Sequence, residues 1–574
     1  MEHAYELVVV GSGAGALLTA VRAADEGLSV LVVEKADRVG GTSAVSGGGI
    51  WIPDNHDMAR VGLKDSIDAA FAYVKACAQG LSSDARVLAY VETARVMARY
   101  LASIGVPFEA MPRYADYYPP IAHSMPGGRS MDPVAFDAAK LGMDGLALLR
   151  DTNPGQKILG RVLINAFEAR SMLTREPGGM KIALGLLLRY WLDLPWRFKT
   201  RRDRRLTGGL ALVGGLLAAL RQRRIPLWVN APLQSLWLEG GRVAGVKVLC
   251  DGREVRVRAT KGVMLAAGGF ERNEAMRARY LPQATRCAWT ATPEGCNTGD
   301  TILAGQRDAG AAVALMAHSW GVPSLQVPGE TVFRGVFVER SMPGCMVVNR
   351  RGERFVNESC PYPEFQQAML ADHERTGGAV PAWVVFDASF RRRYPMGPLL
   401  PGSAVPDRKL PPEWLGQLYW RADSLEELAG QIGVNPAGLA ASAAKIAEYA
   451  RTGVDADFGR GGNVFDRYYG DDGVTPNPNL APIAKAPFYA MKLYPGDIGT
   501  KGGLVTDLDA RVLDHEGRAI EGLYGTGNTT ASVMGPSYPG AGSTLGPALT
   551  FGFRAAAHMA GKPIALQRTD LLGA

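Results

Sequence analysis

The opening of the chain limits its fold more than any other stretch. Residues Tyr5 to Val10 are apolar and largely β-branched, as a strand buried on both faces of a parallel sheet must be. Gly11-Ser12-Gly13-Ala14-Gly15-Ala16 follows. Next come the helical pattern LLTAVRAADEGL, ending near Gly27, and the apolar run SVLVVE, closing on Glu34. Strand, glycine turn, helix, strand and acidic residue fall within about thirty residues, the size of a dinucleotide-binding unit. Each residue type has a geometric reason. Gly11 permits a sharp turn, and Gly13 lets the backbone approach a pyrophosphate. The free N–H groups and positive dipole at the helix start favour an anion. Glu34 can accept hydrogen bonds from a ribose diol. Ala16 stands where a third glycine often sits, an allowed variant.

Further glycine clusters extend the site. Lys35 leads into Gly40-Gly41-Thr42-Ser43 and Ser46-Gly47-Gly48-Gly49, a second loop able to wrap the far side of a long cofactor. That points to FAD rather than NAD. The run VMLAAGGFERN is a buried strand entering Ala266-Ala267-Gly268-Gly269, and Gly299-Asp300 is a further candidate contact. Near the end, GLYGTGN repeats the strand-then-glycine pattern and supplies Gly527 and Asn528. The chain holds 70 glycines in 574 residues, above the usual share of about 7%, and they have no collagen-like period.

The length calls for two domains. A net charge of +7 is modest for this size, and no nucleic-acid-binding signature is present. Cys77, Cys250, Cys287, Cys296, Cys345 and Cys360 form no CxxC pair, so no metal site or iron–sulfur cluster is expected. They read as reduced thiols of a cytoplasmic protein. The sequence MEHAYELVVVGSG starts a strand at once and has no signal-peptide pattern. No uncharged apolar run reaches the roughly 18–20 residues of a membrane span.

Together these segments resemble the fumarate reductase and 3-ketosteroid dehydrogenase superfamily of flavoproteins, over nearly the whole chain. The resemblance implies an α/β fold: a Rossmann-like, discontinuous FAD-binding domain with an inserted α+β substrate domain. The expected boundaries are 1–320 (with a helical insertion at about 145–206), 321–489 and 490–574. Glu34 is then implied to hold the adenosine ribose, and the GGTS and SGGG loops to line flavin and phosphates. Residues 234–270 read as a small meander turning at Gly240-Gly241 and Asp251-Gly252. The last helix is expected from about Thr544, with Leu545 next, to Ala560, stopping at Gly561.

The C-terminal segment bears on the substrate. Residues Ala531 to Gly552, ASVMGPSYPGAGSTLGPALTFG, contain no arginine and no histidine. A site without fixed cations binds a dicarboxylate poorly, because the buried charges go uncompensated. A neutral, apolar substrate fits better. The same segment is similar to that of the 3-ketosteroid Δ1-dehydrogenases. There a YPGxG run places a tyrosine hydroxyl and a glycine N–H on the steroid 3-keto oxygen, here implying Tyr538 and Gly542. An NExxPY-like run implies Tyr362 as the base for the carbon 2 proton. A DYY run implies Tyr117 as its partner, with Tyr118 the second choice and Tyr114 close by. The N-terminus of the last helix is expected to face the flavin pyrimidine edge and stabilise the reduced ring.

The implied reaction is 1,2-desaturation of a 3-ketosteroid or similar apolar cyclic ketone, with an unidentified electron acceptor and no nucleic acid. The alternatives are a 3-ketosteroid Δ4-(5α)-dehydrogenase, a fumarate-type reductase, and a non-catalytic flavin-binding subunit. Residues 180–205 stand apart, since a leucine-, tyrosine- and tryptophan-rich run precedes WRFKTRRDRR. They read either as a packed helix and solvated loop or as a peripheral contact with an anionic inner-membrane face.

Overall fold

A computed structural model describes residues 2–572. The strand Glu2–Val10 lies between Val30–Val33 and Arg253–Leu265 and pairs with both in parallel, Leu7 opposite Val30 and Val10 opposite Leu265. The helix Ala14–Asp25 crosses between the first two strands and buries an alanine- and leucine-rich face. Burial on both sides explains the unbroken apolar runs, because each face of the sheet meets its own core.

Arg253–Leu265 serves two partners. Its first half closes an antiparallel meander with Arg242–Cys250 and Leu233–Glu239, and its last residues pair in parallel with Ala519–Gly525. The meander turns where expected. Gly240 and Gly241 have φ of +60° and +83°, and Asp251 and Gly252 have +48° and +75°, the primed-turn geometry that suits strand twist. The C-terminal strand thereby returns to the N-terminal unit, and the helix Leu545–Met559 packs on Ala14–Asp25.

A second, antiparallel sheet runs Arg334–Gly335, Ser319–Leu325, Phe488–Thr500, Ala382–Asp387 and Cys345–Val348, with Trp420–Ala422 also on Phe488–Thr500. The expected boundaries at 320/321 and 489/490 fall inside Ser319–Leu325 and Phe488–Thr500, which pair with each other. The chain enters and leaves the second sheet through this one pair. Residues 145–206 include the helices Ala166–Leu173 and Gly179–Leu192. Among the described residues, no helix is long and apolar enough to cross a membrane. All six cysteines are free thiols.

Candidate active site

The dinucleotide cradle is built from backbone contacts that leave no room for side chains. Gly11 has φ +109°, and a Cβ there would lie 2.5 Å from the Ala266 carbonyl oxygen, so this turn abuts the Ala266-Ala267 crossing. Gly48 has φ +75°, with a Cβ position 2.2 Å from the Gly208 carbonyl carbon. Gly15 packs on the last helix, where a Cβ would come within 2.8 Å of Ala548 O. Gly268 and Gly269 pack against Asn297 and Thr500. By contrast, Cβ atoms at Gly41 and Gly47 would meet nothing within 4 Å.

Side chains fix the loops around this cradle. Ser43 Oγ accepts from Ala14 N–H at 3.0 Å, tying the GGTS loop to the helix start. Gly13 is the N-cap and supplies no side-chain cap. Ser12 Oγ donates to Glu34 at 2.5 Å and accepts from Gly40 N–H at 3.0 Å. Glu34 is buried at the strand end and also accepts from Ala36 N–H at 2.9 Å. Ser46 Oγ accepts from Gly48 N–H at 3.0 Å, and the Gly49 Cβ position reaches Met131 O at 3.4 Å. Thr42 accepts from Asn297 Nδ2 at 2.6 Å. Ala16 lies in the buried core of the helix, behind the turn. Lys35 and Asp300 pair with each other at 2.8 Å, and Gly299 caps the Asp300–Ala309 helix. Gly527, Asn528 and Thr544 line a small hollow with Trp320 and Arg86. Leu545 opens the last helix, and Thr544 gives it no side-chain cap. Burial lowers the Arg86 guanidinium to about 10, and its Nε has no partner. A glycine cradle, a glycine N-cap at the helix start, a buried acid at the second strand end and this hollow fit FAD.

The tyrosines come together beside that hollow. The Tyr117 and Tyr362 hydroxyls are 3.4 Å apart, and Tyr114 Oη is 3.3 Å from Tyr117 Oη. The Tyr538 ring stacks on Tyr117, with centroids 5.2 Å apart at 19°, and meets Tyr362 edge-on at 5.3 Å. Tyr362, Thr544 and the Gly542 N–H lie near the Tyr538 phenol, and each favours its ionised form against the effect of burial. Gly542 has φ +100°, and a Cβ there would lie 2.4 Å from Ile50 Cα, so the position accepts only glycine. Trp320, Phe337 and Phe465 wall the cluster.

Tyr118 points elsewhere, donating to Glu364. The first residue of the DYY run, Asp116, accepts from Trp51 Nε1 and from Arg129, each at 2.8 Å, and Arg129 also grips Asp65. This buried ion network holds the extended segment from which Tyr117 projects. The residues that sequence reasoning passed over are Trp320, Glu364 and Lys501. Glu364 follows Tyr362 by two positions, and Lys501 lies in the GTKGGL run.

Burial pushes all three phenols up, Tyr117 and Tyr362 well above the ordinary value. Hydrogen bonding from Tyr117 works the other way on Tyr362, favouring its phenolate. Tyr362 is also the first residue of the helix Tyr362–Thr376, at the positive end of the helix dipole.

A family model described as FAD binding domain matches residues 6–545. The 3-oxosteroid 1-dehydrogenase of Comamonas testosteroni is 52% identical over 579 residues, covering 100% of this chain and 99% of the relative. This chain belongs to the 3-ketosteroid Δ1-dehydrogenase family. FAD is the cofactor of this flavoprotein family and of this chain. The crystal structure of 3-ketosteroid Δ1-dehydrogenase from Sterolibacterium denitrificans in complex with 1,4-androstadiene-3,17-dione matches with a TM-score of 0.95 and 54% identity. It covers 97% of this chain and 100% of that one. The 3-ketosteroid-Δ4-(5α)-dehydrogenase of Rhodococcus jostii RHA1 shares the fold alone, with a TM-score of 0.65 and 22% identity over 97% of each chain.

Proposed function

We propose that this member of the family desaturates 3-ketosteroids between carbons 1 and 2, and that its phenol cluster carries the proton chemistry. The observation behind this reading is the meeting of Tyr117, Tyr362 and Tyr538 near Gly542, in a cluster walled by aromatic rings. A neutral ketone suits such walls. Tyr538 and the Gly542 N–H would bind the 3-keto oxygen as two neutral donors. Raising the Tyr538 phenol keeps it protonated and able to donate as charge develops on that oxygen. Tyr362, supported by the Tyr117 hydroxyl, would remove the carbon 2 proton. FAD, when bound, supplies the acceptor for the hydride that leaves carbon 1.

The test is anaerobic mixing of the holoenzyme with androst-4-ene-3,17-dione, followed by product analysis. Bleaching of the flavin and a 1,4-diene product are expected. A 5α-saturated steroid separates the two ring positions, because a Δ4 product from it would overturn the 1,2 assignment. Rapid fumarate turnover with reduced viologen would favour the reductase alternative. No bleaching by any ketosteroid would favour a binding subunit.

A second reading concerns the insertion. Met180, Leu192 and Phe198 are 82%, 71% and 89% exposed, and Leu184, Leu188 and Leu194 are also exposed. Lys199 and Arg201 lie beside them in sequence. Apolar residues open to solvent next to a basic run match an anionic lipid surface, where an apolar substrate would concentrate. Co-sedimentation with phosphatidylglycerol vesicles is expected, and Phe198→Asp with Leu192→Asp should abolish it. Equal pelleting of this variant and the parent would reject the contact.

A further inference from the structure

The turn that carries Tyr538 is held by side chains outside the phenol cluster. Tyr538 N–H donates to Tyr118 Oη at 2.9 Å. The Tyr118 hydroxyl in turn donates to Glu364 Oε1. Lys501 Nζ donates to Pro536 O and, at 3.0 Å, to Ser537 O, the carbonyls just before Tyr538. One residue further on, Pro539 O accepts from Tyr73 Oη at 2.8 Å and from Tyr117 N–H at 2.9 Å. Lys501 is only 1% exposed and lies over the Trp320 ring at 4.5 Å, the same ring that meets Tyr538 edge-on at 5.0 Å.

Three facts make this more than ordinary packing. Glu364 lies in the first turn of the helix that opens with Tyr362. Tyr118 adjoins Tyr117 in sequence. The amide that Tyr118 receives belongs to Tyr538 itself. One run of two hydrogen bonds therefore links the backbones bearing all three phenols. The second Glu364 oxygen is buried without a partner, so this carboxylate is held there at a cost. Burial pushes the Glu364 carboxyl up and brings the Lys501 ammonium down to about 7, while each group's charge favours the other's ionised form.

We propose that Tyr118 and Glu364 are positioning residues that set the Tyr538 hydroxyl against Tyr362, with Lys501 holding the carbonyls of the two residues before Tyr538. The proposal rests on the reading of Tyr538 as the carbonyl donor. A donor matters most when charge has developed on the ketone oxygen, so a misplaced Tyr538 lowers kcat more than it raises KM.

The experiment uses the full-length holoenzyme as Tyr118→Phe, Glu364→Gln, Glu364→Leu, Tyr538→Phe and the Tyr118→Phe/Tyr538→Phe double variant. Tyr118→Phe keeps the ring and should hold FAD. Its kcat on androst-4-ene-3,17-dione should fall about tenfold or more, since small misplacements are expensive in a preorganised site. Glu364→Leu should follow it. Glu364→Gln should retain more activity, because its amide oxygen still accepts from Tyr118. In the Tyr538→Phe background the Tyr118 change should cost less than about twofold more, the non-additivity expected when one residue acts through the other. Losses that multiply in the double variant, or a Tyr118→Phe enzyme with parental kcat, overturn the proposal. Hydrogen exchange of the peptide spanning 534–545 reads the same link without turnover. Tyr118→Phe should accelerate exchange at the Tyr538 amide and leave the Val30–Val33 strand unchanged. Unaltered exchange there removes the strut whichever ketone the enzyme takes. A parent enzyme inactive on every ketosteroid but showing this exchange response would remove only the substrate reading.

Discussion

The cofactor cradle and the phenol cluster are adjacent, but they are made in opposite ways. In the cradle the specific element is missing atoms. Gly11 and Gly48 leave less than 3 Å between a would-be Cβ and another segment's backbone, and neither neighbour can rotate away. In the cluster the specific element is added atoms. Tyr117 and Tyr362 are 245 residues apart and meet through their hydroxyls and an edge-on ring contact, on side chains held by aromatic neighbours and a buried ion network. The first region should therefore fail when an atom is added. The second should fail when a single oxygen is removed, and should stay folded when it does.

Gly11→Ala is the harshest test of that contrast. The added methyl would sit 2.5 Å from a carbonyl oxygen at a φ of +109°, so the strand crossing must open. Purified protein is expected to carry almost no flavin, read from the ratio of visible to ultraviolet absorbance, and so to have no activity. Normal flavin content would break the description of the cradle.

Tyr362→Phe removes one oxygen from the other region. Turnover is expected to fall by about 10²–10⁴, the range for loss of a general base, with flavin content and melting temperature near those of the parent. Steady-state rates with a flavin titration check it. Parental turnover would remove Tyr362 from the chemistry.

Tyr538→Phe should lose less, about 10²–10³ in kcat as for loss of an oxyanion donor, and again keep its flavin. A change confined to KM would make the phenol a binding group only.

The smallest effect is expected at a buried acid of the cradle. Glu271 follows the Gly268-Gly269 turn and is buried near Asp497 of Phe488–Thr500. Burial first, and then the Asp497 charge, push it up to about 8. An acid raised above its unfolded value stays protonated in the native state while the unfolded chain ionises. Its stabilising contribution is complete below the unfolded value of 4.5 and is lost as pH rises towards 8. Glu271→Gln should flatten that decline in melting temperature between pH 5 and 8. Parallel curves for the two proteins would show that Glu271 does not carry the effect.

Much of the cradle could be read from the chain because its determinants are local. The Gly11–Ala16 turn, Glu34 and the two hairpin turns each lie within a few residues of what they shape. The last helix, expected from about Thr544 to Ala560, spans Leu545–Met559. The phenols were legible only through a family pattern, since a tyrosine in a turn has no periodicity that marks it. The choice between Tyr117 and Tyr118 shows this plainly. They are neighbours of the same type, yet one hydroxyl faces Tyr362 and the other Glu364. Glu364 and Lys501 had no signal of their own, because a buried charge looks like a surface charge until its surroundings are known.

The sequence by itself determined the alternation of strand, glycine turn and helix, and hence a dinucleotide fold, because backbone sterics and side-chain periodicity act over a few residues. Tertiary structure alone decided which tyrosines cluster, which way each hydroxyl points and how far each proton is from leaving. Those depend on burial and on partners hundreds of residues away, and free energies of that kind do not exist until the chain has closed around them.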